Sequence, residues 1–246
     1  MKKLGELTTD EVRALVATPP TCVLLPVGSV EPHGPHLPLA TDSIISEIAC
    51  ARAMDKLAAR GVTAVMAPSV AYGVTDFAAG FAGAIGLTAA TLQAILREIV
   101  GALLGAGFSH VCLVNNHLEP AHDAAVRASV ASFPAGTTSV ACPLTRRWGR
   151  TLSDEFKRGN CHAGRYETSL ALAAGVLVRP EFSALGSVEV SLSDGIKAGK
   201  TTFKAMGMDR AYTGAPAEAS AGEGDGLYDK LADMIAAEVG EALAAK

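Results

Sequence analysis

Three short stretches of the chain concentrate the residue types that bind metals and move protons. The first, PVGSVEPHGPHLPLATD (residues 26–42), holds Glu31, His33, His36 and Asp42. Glu31 and His33 are two apart, so in extended backbone they point to the same side, and Pro32 biases Glu31 toward that extended form. The second, LVNNHLEPAHD (residues 113–123), repeats the spacing with His117 and Glu119, again with a proline following the glutamate. Five donors of this mix, Glu31, His33, Asp42, His117 and Glu119, suit two divalent cations with one carboxylate shared. Imidazole plus carboxylate favours Zn, Mn, Fe or Co over Ca or Mg. Such a two-metal site can activate a water and polarise a carbonyl. The third stretch, CHAGRYETS (residues 161–169), offers His162 as an acid or base five positions before Glu167. Glu167 either orients His162 or serves as a structural cap of the helix it opens.

These residues need a frame. TCVLLPVGS, VTAVMAPSVAYG, HVCLVNN and TTSVACPL are apolar runs that read as buried strands. Between them lie helical patterns: a short one at TTDEVRALV with a Thr or Asp cap, and one from about Asp42 to Arg60 with a Gly stop. LTAATLQAILREIVGALLGAG is capped by Thr88, and PAHDAAVRASVASF has Pro120 in its first turn. ETSLALAAG and the C-terminal GLYDKLADMIAAEVGEALAAK complete the set. Strands alternating with helices predict a three-layer α/β/α fold around a mostly parallel sheet, as a single domain over 1–246. The candidate residues then fall where such sheets carry function, beyond the carboxyl ends of the strands. The segment 180–223, rich in Gly, Ser and Ala, is the least regular and reads as an excursion over a site or a partner. GAGFSH ends a helix before a strand, so its glycines are a helix stop and not a dinucleotide fingerprint.

Composition excludes several classes. The chain has 246 residues, 49% apolar and 19% charged, with a formal net charge of −4, and no basic run of the kind that binds nucleic acid. MKKLGELTTDEVRAL has no apolar core behind its lysines and does not read as a signal peptide, and no apolar run is long enough to span a bilayer. A cytoplasmic protein is expected. Five widely spaced cysteines without a CxxC argue against disulfides and thiolate zinc; Cys22, Cys112 and Cys142 read as core. Among the remaining histidines, His110 reads as structural and His122 as a surface or capping residue. His36 either orients a ligand residue or is satisfied within its loop.

At these residues the sequence resembles the creatininase family of creatinine amidohydrolases. That family's pattern runs PxGSxEQHGPHLPxxTD, then a strand leading to NGH, then HAGxxETS, and all three occur here in order. FAGAIGLT (residues 81–88) is similar to the family's FPGTISL. The resemblance implies two metals per subunit, zinc or manganese with iron as an option. It implies that one is held by Glu31, Asp42 and His117 and the other by His33, Asp42 and Glu119, with Asp42 bridging. It implies His162 as the catalytic histidine that protonates the leaving nitrogen, and Glu119 is read as catalytic as well as a metal ligand. The activity implied is hydrolysis of an amide-type C–N bond, often cyclic or formyl, by a protein often assembled as a hexamer. Departures fall in the substrate region. Leu118 stands where the creatinine-hydrolysing members carry an aromatic residue, Cys161 where they carry an acid, and Phe77 where a histidine is usual; Trp148 is the single tryptophan. The ligand set is complete while the pocket is altered, so creatinine is not the expected substrate. Two other readings are a metal-free hydrolase with Cys161 as nucleophile, and a non-catalytic binding or scaffold protein. The first is disfavoured because adjacent His162 points away from Cys161.

Overall fold

Four parallel strands form the centre of the molecule. The computed structural model describes residues 2–245. The strands are β1 (Thr21–Val27), β2 (Thr63–Met66), β3 (His110–Asn115) and β4 (Thr138–Ala141), in the order β2-β1-β3-β4. Register is set by pairs such as Leu24 with Met66 and with Cys112, and Leu113 with Val140. Every residue of β1 and β3 is buried, which is why both read as continuous apolar runs rather than alternating ones.

Alternate strand residues feed two cores. Cys22, Leu24, Cys112 and Val114 face a helical layer made of α2 (Thr41–Ala58), α7 (Arg165–Ala173) and α10 (Ala221–Ala244). Val23, Leu25, Val111 and Leu113 face α3 (Ala89–Gly105) and α4 (Pro120–Val130), with α1 (Thr9–Val16) at their margin. Each fully buried Leu or Val contributes roughly 1.5–3 kcal/mol relative to exposure. The result is the three-layer α/β/α arrangement expected from the alternation. All five cysteines are buried free thiols.

Local rules place the helix starts. Thr88 caps α3 by accepting from Thr91 N–H, Thr8 closes a capping box with Glu11 on α1, and Pro120 opens α4. At α2 the rule is set aside. The helix starts at Thr41 behind Ala40, which makes no side-chain cap, so the carboxylate of Asp42 is not used to cap it. After β4 come two short helices, α5 (Arg146–Gly149) and α6 (Asp154–Arg158). The irregular segment between α7 and α10 carries α8 (Leu192–Lys197) and α9 (Phe203–Met206). Phe203, Met206 and Met208 pack with Ala78 and Phe77 into a small apolar cluster. Among the described residues no helix is long and apolar enough to cross a membrane.

Candidate metal centre and active site

The carboxyl ends of β1 and β3 and the first turns of α2 and α7 deliver six buried side chains to one place. Asp42 lies at the centre. Its Oδ1 is 3.1 Å from His33 Nε2, its Oδ2 is 3.1 Å from His117 Nδ1, and the Ser29 hydroxyl donates to Oδ2 at 2.6 Å. Glu31 Oε1 is 3.2 Å from His117 Nδ1 and 3.7 Å from His162 Nδ1. Glu167 Oε2 is 3.5 Å from His33 Nε2 and accepts from Ala163 N–H at 2.6 Å.

The imidazoles share a rule. Each has one nitrogen within hydrogen-bond distance of a backbone carbonyl, where it donates, which leaves the other nitrogen facing the carboxylates: His33 Nδ1 to Glu31 O (3.0 Å), His117 Nε2 to Val74 O (2.6 Å), and His162 Nε2 to Pro32 O (3.0 Å). Metal-ligating histidines are fixed in this way. Three sets of donor atoms lie within 4.8 Å of one another: Glu31, Asp42 and His117; His33, Asp42 and Glu167; and Glu31, His33 and His162. Asp42 belongs to the first two.

The charges of these residues are ill-balanced without a cation. Among the described residues, Glu31, Asp42 and Glu167 form ion pairs with histidines alone and with no Lys or Arg. Glu31 Oε2 is buried without a hydrogen-bond partner, a group that costs free energy unless something meets it. Burial opposes charge on His33, yet Asp42 and Glu167 raise it to about 10; Glu31 and Asp42 likewise hold His117 well above its usual range. Burial pushes Glu167 up to about 8, with His33 opposing. His33 and His117 are thus drawn toward the cationic form that divalent ions would replace. The donor set fits such ions by type, count and polar vacancy.

Glu119 stands apart from these sets. Its two oxygens accept from Asp76 N–H and Phe77 N–H, both at 3.2 Å, and burial pushes it up to about 7. The structure puts Glu167, not Glu119, beside His33 and Asp42. Both strand-end motifs keep the expected E-x-H and H-x-E spacing, but the Glu119 carboxylate is bonded to the loop at Asp76 and Phe77, whereas Glu167 in the first turn of α7 reaches His33. His162 lies with its ring stacked on Phe203 (centroids 4.3 Å apart) and against His33 (4.6 Å). Burial and the charge of His33 push it down to about 4.

Glu31, Asp42, His117, Glu119, His162 and Glu167 all line one cavity of about 420 Å³. Phe77, Leu118, Phe156 and Phe203 make its walls apolar, and Arg146, Arg150 and Lys157 bring cations to it. Phe203 was not singled out in the sequence; its only signal was the irregular segment that carries it.

The other histidines divide. His110 is structural, bonded to Gly136 O and Ser139 Oγ. His36 is buried, and its Nε2 meets Thr168 Oγ1 at 2.8 Å, next to Glu167, so its partner is a side chain on α7 and not its own loop. His122 corrects the surface reading: it is 0% exposed, because α4 turns that face onto the loop around Gly73. Cys161 lines the cavity, but burial, followed by the charge of Glu167, drives its thiol far up, which removes the thiolate a nucleophile needs.

Comparison with known proteins identifies the family. The chain is 29% identical over 249 residues to the mycofactocin precursor peptide peptidase of Mycolicibacterium smegmatis, spanning 95% of this chain and 88% of that one. It is 30% identical over 121 residues to creatinine amidohydrolase of Pseudomonas putida, 47% of this chain and 45% of that one. The solved structure described as "Creatininase Mn" shares the fold, with a TM-score of 0.75 at 20% identity over 97% of both chains. The creatininase family model, described as creatinine amidohydrolase, matches residues 5–239; with the motifs at the ends of β1 and β3 and the layered fold that joins them, the chain belongs to the creatininase family of amidohydrolases.

Proposed function

We propose that this amidohydrolase holds two divalent metal ions, zinc or manganese with iron as an option, and hydrolyses a C–N bond in a peptide-like amide. The observation that carries the reading is the pair of buried donor sets that share Asp42. Glu31, Asp42 and His117 would hold one ion, and His33, Asp42 and Glu167 the other. Bound there, the ions would supply Lewis-acid polarisation of the amide carbonyl and acidify the attacking water.

The chain's own groups handle the protons. Glu119, buried and anchored by two peptide N–H groups, takes the proton of the attacking water. His162 keeps Nε2–H on Pro32 O, so Nδ1 is the atom that receives and gives a proton. Burial holds the imidazole down to about 4, so Nδ1 starts unprotonated; the proton it passes to the leaving nitrogen as the C–N bond breaks is the one that Glu119 took from the attacking water. Phe203 stacks on the ring and His33 packs against it, and together they restrain its plane.

The cavity is polarised in a way that favours a substrate carrying an anionic group. Its carboxylates belong to the donor sets and to Glu119. Arg146, which opens α5, and Arg150, its C-cap four residues on, form no ion pair with a carboxylate among the described residues, while Lys157 pairs with Asp154. Like charges at this spacing repel, so an anion between them is favoured. Exposed Leu144 and Ile196 add apolar surface beside them. The similarity to a precursor peptide peptidase supports a peptide-like amide over creatinine. By the same family resemblance we infer a homohexamer, which sedimentation of the purified chain tests.

Turnover of short N-acyl peptides and of creatinine, before and after 1,10-phenanthroline, tests the proposal. Loss of peptide hydrolysis on chelation and its return with zinc or manganese is the expected result. Hydrolysis indifferent to the chelator would refute it.

A further inference from the structure

His122 has no place in the donor sets, yet its surroundings are built. It is fully buried in the first turn of α4, and its ring lies edge-on to that of His117, 4.6 Å between centroids. Its Nδ1 accepts from Val74 N–H at 3.2 Å. The carbonyl of the same residue, Val74, accepts from His117 Nε2 at 2.6 Å. One loop residue is therefore gripped from both sides, by His122 at its N–H and by His117 at its C=O. The fit is close: a Cβ on Gly73 would collide with His122 Nδ1 and lie 2.8 Å from Gly28 O. Only glycine lets that loop reach the imidazole. His122 Nε2, by contrast, is buried without a hydrogen-bond partner, so the ring is held there at a cost that needs a return.

We propose that His122 is a positioning residue: by anchoring Val74 it fixes the carbonyl that orients His117, and so presents His117 Nδ1 to Glu31 and Asp42. The inference rests on the metal reading above for its purpose but not for its geometry. Without the Val74 anchor, the carbonyl can swing and the His117 ring loses the bond that selects which nitrogen faces the carboxylates. Outer partners of metal-ligating histidines act through this kind of restraint.

The test compares His122→Phe, which keeps a ring and removes the acceptor, with His122→Asn, whose amide oxygen can accept from Val74 N–H. Two quantities are read: affinity for Co(II) by competition with a chelator, and the hydrogen-exchange rate of His117 Nε2–H by NMR of 15N-histidine-labelled protein. His122→Phe should weaken Co(II) binding by roughly 10–100-fold and speed the exchange at least about 10-fold, with His122→Asn recovering most of both. If His122→Phe does not fold, His122→Leu, which also removes the acceptor from Val74 N–H, should produce the same two changes. Wild-type affinity and exchange in His122→Phe, or equal impairment in His122→Asn, would overturn the proposal. A wild-type protein that binds no Co(II) would overturn the metal reading instead, while the exchange rate, which needs no metal, still decides the role of His122.

Discussion

Glu119 and Glu167 are both buried carboxylates on the same cavity, and replacing each by glutamine should separate their roles. Glu167 is one of three donors in the set with His33 and Asp42. Losing it should weaken the second cation by more than the roughly 10–100-fold that loss of an outer partner costs, about 1.4–2.7 kcal/mol. Glu119 is outside every donor set, so Glu119→Gln should leave metal content unchanged. Its carboxylate accepts two peptide N–H bonds; the amide keeps one acceptor and turns a donor toward the other, which costs about 1–2 kcal/mol of stability. Losing the proton acceptor should lower kcat by about 10²–10⁴, or roughly 2.7–5.5 kcal/mol of barrier. The assay is metal content by elemental analysis alongside kcat on a peptide amide, for both variants. A Glu119→Gln protein that loses one metal while Glu167→Gln keeps both would refute the grouping. Full activity in Glu119→Gln would refute its role as the proton acceptor.

Other consequences are independent of that pair. Burial, the charge of His33 and Arg210 push His36 down to about 4; the unfolded chain protonates it near 6.5, so stability should fall by up to about 3 kcal/mol as pH drops from about 6.5 to about 4. Denaturant unfolding of His36→Gln should lack that slope, and an identical pH dependence in both proteins would contradict it. Cys161→Ala should retain metal and turnover, and iodoacetamide at pH 8 should leave the wild type active; loss of activity on alkylation with no effect of chelators would revive the thiol mechanism. The double change Arg146→Gln/Arg150→Gln should raise KM at least about 10-fold for a substrate bearing a carboxylate, and under about 2-fold for its neutral amide, with kcat little changed; equal effects on both substrates would remove the anion role.

The sequence made the frame and much of the site legible because those features follow from short-range rules. Buried parallel strands show as unbroken apolar runs, as at CVLLPV and VCLVN. Pro32 and Pro120 mark glutamates held extended at strand ends, and Glu119 is indeed extended where α4 begins. What was hidden depends on packing between elements. The family resemblance assigned Glu119 to the ion held by His33, but Glu167 reaches that histidine because α7 packs beside α2. His122 looked like a surface residue on a helix start, and only the approach of the Gly73 loop buries it. Phe203 sits on a short helix with no periodicity long enough to read. His36 could not be assigned because its partner, Thr168, is 132 residues away.

The most direct test is metal per subunit, by elemental analysis of protein purified without chelator or His-tag, for wild type and for Asp42→Asn. Because Asp42 is shared by both donor sets, the wild type should carry about two divalent transition metals and the variant should lose both. No metal in the wild type, even after incubation with zinc or manganese, or two metals retained by Asp42→Asn, would contradict a dinuclear centre bridged by Asp42.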